Sequence, residues 1–125
     1  MCPGPKPTPI TITISATAAK PNDPTLSDGL ATSQPGKAKE FKTVVVPNQT
    51  IMFRVGGDIA AITAVPEGEG SDIFSTDPLL SNNWTGIIGD NLPNNDTREY
   101  SICYTMKGDA TGTVYTEDPK LQMKK

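Results

Sequence analysis

Hydrophobic and polar residues alternate one for one in "PITITISATA", where Ile10, Ile12 and Ile14 take turns with Thr11, Thr13 and Ser15. A period of two built from β-branched side chains puts the isoleucines on one face of an extended chain, so this segment predicts a half-buried strand. "EFKTVVV" and "TIMFRV" read as two further strands joined by the short turn "PNQ", with Ile51, Phe53 and Val55 facing one way and Met52 and Arg54 the other. After the punctuation of "GGD", the run "IAAITAV" is apolar on both sides and suits a central strand covered on both faces. Between these runs, Lys20 to Lys39 carries three prolines and two glycines and predicts a long connection without regular structure. Pro66 to Asn83 predicts another, and the stretch after it allows at most one short strand near Gly86 to Ile88. "REYSICYTM" and "TGTVYTEDPKLQMKK" close the chain as a strand pair joined through "KGDATG". Seven to eight strands with no helical period and no repeat predict an all-β fold, a two-sheet β-sandwich with Greek-key connections.

Composition narrows the picture. The 125 residues fit one domain, read as a flexible Pro-rich tail over 1–9 followed by a single β-sandwich over 10–125, able to bury about two-thirds of its unfolded surface. Twelve prolines and eleven glycines agree with a turn-rich chain and disfavour helix. A net charge of −3 has the wrong sign for nucleic acid or anionic lipid, so no nucleic-acid partner is expected. No apolar run approaches the roughly 18–20 residues that span a bilayer, and "MCPGPKPTP" lacks the regions of a signal peptide. The expectation is a cytoplasmic protein with no membrane span; the alternative is an exported lipoprotein with its lipid anchor on Cys2. Cys2 and Cys103 are read as free thiols.

The segment "YSICYTMKG" poses the sharpest chemical question, because a cysteine followed by a methionine resembles a copper-ligand loop. Alternation accounts for it without metal: Tyr100, Ile102, Tyr104 and Met106 share one face, and Ser101, Cys103 and Thr105 the other. Copper sites of that kind need two imidazoles beside the thiolate. The chain has no histidine, so Cys103 is read as a small buried hydrophobe. The same absence removes His-activated nucleophiles and His-ligated zinc, and predicts a non-enzymatic protein without cofactors. Glu67, Glu69 and Asp72 in "PEGEGSDIF" are hard oxygen donors for Ca²⁺, but they lack an EF-hand register, and a solvated acidic loop is the preferred reading. The Gly pairs read as turns. Asn48, Asn83 and Asn95 open Asn-x-Thr triplets that matter only in a glycosylating pathway. Trp84, the sole tryptophan, is either folded back over the sandwich end, the preferred reading, or offered to a partner.

The order of parts, from the Ile-rich first strand through "VPNQTIMFRV" to "YSICYTM", resembles a cupredoxin-like or immunoglobulin-like sandwich. Cys103 falls where a cupredoxin ligand would, but Met106 stands in the histidine's place, so copper transfer is not implied. The closing "DPKLQMK" is similar to the last strand of the PixA/AidA inclusion-body protein family, which implies an intracellular or accessory structural protein.

These readings lead to a structural or protein-interaction module, with Lys20–Lys39 and Pro66–Asn83 as contact regions and self-association through an amino-terminal strand at a sheet edge as one form of partnership. The alternative is a sugar- or calcium-binding module using the Trp84 loop and the acidic 67–72 loop. A third reading, an electron-transfer or Cu(I)-carrying domain, would use Cys103 with Met106 and Met123 as soft donors.

Overall fold

A computed structural model describes residues 7–68 and 72–125. Eleven strands and two short 3₁₀ turns lie among them. The strands are β1 (Ile10–Thr17), β2 (Lys20–Ser27), β3 (Lys42–Val45), β4 (Thr50–Gly57), β5 (Ile59–Ala64), β6 (Phe74–Thr76), β7 (Thr85–Ile88), β8 (Thr97–Glu99), β9 (Ile102–Met106), β10 (Tyr115–Glu117) and β11 (Lys120–Met123). They form a five-stranded sheet, β2-β1-β4-β7-β6, and two three-stranded sheets, β10-β9-β5 and β3-β11-β8. The fold is all-β. All three sheets contribute to one buried cluster, with Ile12, Ile14, Ile51 and Phe53 from the large sheet meeting Ile62, Ile102, Tyr104 and Leu121 from the smaller ones, the arrangement of a β-sandwich.

The isoleucine alternation in β1 lands as expected, with Ile12 and Ile14 buried. β1 is an inner strand, parallel to β4 from Ile10 to Ala16 and antiparallel to β2 from Thr13 to Thr17. Its Thr13–Ala16 part therefore offers no free edge for self-association. At the end of β4 the chain must turn close beneath β1. A Cβ on Gly57, whose φ is +60°, would sit 2.6 Å from the Ala16 carbonyl oxygen, so only glycine fits there.

Four expectations are corrected. First, Lys20–Lys39 is not wholly irregular, because β2 occupies its first eight residues. Its prolines are tolerated since β2 is an edge strand, where a missing N–H costs no ladder bond, and Pro24 and Leu26 keep a two-residue inward period hidden among polar neighbours. Second, "IAAITAV" is not covered on both faces. β5 buries Ile59 and Ile62 but exposes Ala60, Ala61 and Thr63, and it ends its sheet; alanine's small apolar surface makes that exposure cheap. Third, Pro66–Asn83 holds the short strand β6 and a 3₁₀ turn, Leu80–Asn82.

Fourth, the closing pair is four strands, which raises the count above seven or eight. "REYSICYTM" breaks at Tyr100–Ser101 and "VYTEDPKLQM" at Asp118–Pro119, and each run passes from one small sheet to the other. The two breaks face each other: the Tyr100 N–H donates to the Pro119 carbonyl at 3.0 Å. Proline cannot donate to a ladder, so Pro119 marks the place where one pairing ends and the next begins.

Candidate functional site

The loop joining β6 to β7, "DPLLSNNW", is pinned from both ends. Asn82 does most of this, its Oδ1 accepting from the backbone N–H of Leu79 at 2.8 Å and of Thr85 at 3.2 Å while its Nδ2 donates to the Asp77 carbonyl at 2.9 Å. Asn83 and Trp84 then adopt consecutive left-handed conformations, φ 61° and 58°. For a bulky aromatic residue this is a true outlier, costing on the order of 1–3 kcal/mol, and such strain gathers at functional sites. The surroundings hold it in place: Trp84 N–H donates to the Leu79 carbonyl at 2.8 Å, Phe53 N–H donates to the Trp84 carbonyl at 3.0 Å, and Arg54 donates to the Asn83 carbonyl at 3.0 Å. Gly86 gives the room, since a Cβ there would meet Pro78 at 2.8 Å.

Trp84 is half-buried and packs against the core, in line with the folded-back reading. It also forms one wall of a concavity of ≈ 570 Å³, whose other walls are Val65 and Pro66 after β5, and Pro78, Leu79 and Leu80. Leu79 and Leu80 are 52% and 75% exposed. Two adjacent leucines open to solvent beside a tryptophan form an apolar patch of the sort that marks contact sites.

Two carboxyl groups line the same concavity, Glu67 and Asp77, and no basic side chain does. Glu67 folds onto its own loop, Oε2 accepting from Ile73 N–H at 2.9 Å and Oε1 from Phe74 N–H at 3.1 Å. Burial pushes its pKa up and the neighbouring Asp77 carboxyl adds to the rise, against the two backbone donors that pull it down. Glu67 therefore holds its proton more tightly than a free glutamate does.

Of the residues expected to form a site, Trp84 and Glu67 come together here. Asp72 does not line this concavity; it is exposed, with Oδ2 accepting from Asn91 Nδ2 at 2.9 Å. Glu69, like Cys2, lies outside the described residues. Among the described residues no three carboxylates or thiols converge in a way that could hold a metal ion, and no helix is long and apolar enough to cross a membrane. Cys103 is corrected from buried hydrophobe to half-exposed outer-face residue, 3.6 Å from Thr116 Oγ1. Met106 and Met123 are buried on the inner side. Strand alternation thus separates the soft donors of the Cu(I) reading.

Asp77, Leu79 and Leu80 lie within the Pro66–Asn83 contact region expected from the sequence, which did not single them out. The available signal was the pair of leucines in a loop otherwise made of Asp, Pro, Ser and Asn, a place with no periodic face to bury them. Asn48, Asn83 and Asn95 are all exposed and all left-handed, at φ 66°, 61° and 68°. Asparagine is favoured at such positions for its backbone tolerance alone. A scan against protein-family models and a search of curated proteins each found no match to the chain.

Proposed function

We propose that this protein is a non-enzymatic β-sandwich that works by binding another protein, and that the concavity beside Trp84 is its contact surface. The observation that carries the reading is the convergence of a tryptophan with strained backbone, two exposed leucines and two carboxyl groups, with no basic residue, on one hollow. An apolar cup with a negative rim suits a ligand that combines an apolar side chain with a cationic group. The absence of histidine and the capture of both Glu67 oxygens by backbone donors favour binding over acid–base chemistry. An accessory or structural role of this kind is also what the resemblance to the inclusion-body family implies.

Trp84 standing beside Glu67 gives some support to the sugar-binding alternative, in which the ring is a stacking platform. One experiment separates the readings. Trp84 is the sole tryptophan, so its fluorescence reports on this site. Titration with acetyl-Leu-Leu-Lys amide, with a neutral trisaccharide and with CaCl₂ is expected to shift the emission with the tripeptide alone. A response confined to the sugar or to calcium favours the alternative, and no response to any of the three removes the site.

A further inference from the structure

The hollow beside Trp84 does not end at Trp84. A second depression, of ≈ 180 Å³, shares that residue and is lined by Phe53, Arg54 and Val55 of β4, and by Ala61 and Ile62 of β5. The first is lined by Thr63 to Glu67. β5 and the residues just after it therefore form one side of both, from Ala61 to Glu67.

β5 also has an unused side. It pairs with β9 and, among the described residues, with no other strand. Its outer row of N–H and C=O groups lies where a further strand would add. Proteins blunt such edges with Lys, Pro or long charged side chains; β5 carries none of these, and its exposed residues are Ala60, Ala61 and Thr63. The register irregularities between Ile59 and Ala61 and between Ile62 and Ala64 are its only protection of this kind.

Charge selects the occupant. Glu67 and Asp77 stand at one end. The one basic residue of the neighbouring depression, Arg54, is committed to the Phe53 and Asn83 carbonyls at 2.8 and 3.0 Å. An extended segment running along β5 would set alternate side chains toward the sandwich. One would reach the cup of Trp84, Leu79 and Leu80, and a basic one would reach the carboxyl pair.

We propose that β5 is a docking edge: an extended peptide of a partner protein, with an apolar residue two positions from a Lys or Arg so that both face the sandwich, adds to it as a further strand and anchors beside Trp84. This rests on the binding role assigned above and names its mode. Backbone pairing supplies affinity in such complexes, while side-chain pockets supply selectivity.

The test uses the full chain and the peptide acetyl-Thr-Val-Thr-Leu-Thr-Lys amide, in which Val, Leu and Lys share one face of an extended chain, with Trp84 fluorescence for binding and amide hydrogen exchange for strand addition. Binding is expected to slow exchange within Ala60–Ala64. A peptide N-methylated at alternate residues, or one with Glu for Lys, is expected to bind at least about tenfold more weakly. Glu67→Gln combined with Asp77→Asn should erase the preference for Lys over Glu, whereas Leu80→Ala, at an exposed position, should weaken binding without affecting the fold. A fluorescence response with unchanged exchange in β5, or equal affinity for the N-methylated peptide, overturns strand addition while leaving the Trp84 site standing. No response to any peptide overturns both. Exchange in β5 that slows with protein concentration alone would instead make a second copy the occupant and overturn the proposed partner.

Discussion

The closing corner of the sandwich and the β5–Trp84 side are built from similar short strands, yet they treat their backbones in opposite ways. At the corner, Tyr100 N–H meets the Pro119 carbonyl, Ser101 N–H the Pro66 carbonyl, and Lys120 N–H the Phe41 carbonyl, at 2.9–3.0 Å. Chain crossings that could leave donors stranded are instead tied to a neighbouring segment, as burial demands. On the other side β5 leaves one edge unpaired, two leucines stand in solvent, and two residues occupy left-handed conformations. Backbone satisfaction and burial concentrate stability in the first region, and the second keeps a rigid but incomplete surface.

Truncation draws the contrast most sharply. Ile102 is fully buried on β9, so Ile102→Ala should cost about 2–5 kcal/mol. Leu80→Ala should change stability by no more than about 0.5 kcal/mol. Urea denaturation of both variants checks this, and comparable losses would erase the distinction.

Alkaline titration probes the corner without mutation. Burial, the largest cause, raises the pKa of Tyr100 and Tyr104 well above the ordinary 10.0, with Asp28 adding to the first and Glu117, Tyr115 and Asp23 to the second. The unfolded chain ionises these phenols near pH 10 while the folded one holds them neutral. Stability is therefore full below about pH 10 and falls as pH rises, by about 1.4 kcal/mol per pH unit for each tyrosine. Chemical denaturation between pH 8 and 11 should show the fall, with a shallower slope in Tyr104→Phe.

The same two residues sharpen the comparison within one face. Tyr104 donates to the Pro21 carbonyl at 2.6 Å, whereas the Tyr100 hydroxyl is buried without a protein partner. Tyr104→Phe should lose about 1 kcal/mol at neutral pH, and Tyr100→Phe should be neutral or gain up to about 1 kcal/mol. Thermal melts with the opposite order would mean that a water molecule satisfies Tyr100.

The smallest effect belongs to the open side. Glu67 has a pKa above the ordinary 4.5 in the folded protein, so the folded state holds its proton more tightly than the unfolded chain does. Its contribution becomes more favourable as pH falls through the folded value toward 4.5, against the direction of an ordinary salt-bridged carboxylate. Subtracting the pH profile of Glu67→Gln from that of the wild type should isolate this upturn, and a difference of the opposite slope would contradict the burial.

How legible these regions were follows from what signals them. The faces of β1, β4 and β9 were readable because each buries one side only, so a two-residue period survives in Ile10–Ile14, Ile51–Phe53 and Tyr100–Met106, while Val55, expected on the buried face of β4, is exposed. β2 was hidden because its period rests on Pro24 and Leu26, and proline ordinarily argues against strand. The sheet changes at Tyr100 and Pro119 were invisible because inward and outward alternation runs across them without a fault. For the site, Trp84 and Glu67 could be nominated singly by residue type, but Asp77 and the leucines join them through a loop geometry set by Asn82, and no local pattern encodes that convergence.

The sheet β3-β11-β8 carries a consequence for the order of events in synthesis. Its middle strand, Lys120–Met123, follows both of its neighbours in sequence, and it pairs with Lys42–Val45 in parallel and with Thr97–Glu99 antiparallel. Neither outer strand can join that sheet until the middle one has left the ribosome. Val44 and Val45 have no partner in that ladder until Gln122 and Met123 have been made. Domains generally fold as units during synthesis, and this sheet closes only once β11 is available. A chain lacking Lys120–Met123 therefore holds two strands that share the same missing centre, so deleting these four residues should unpair β3 and β8 together rather than one of them.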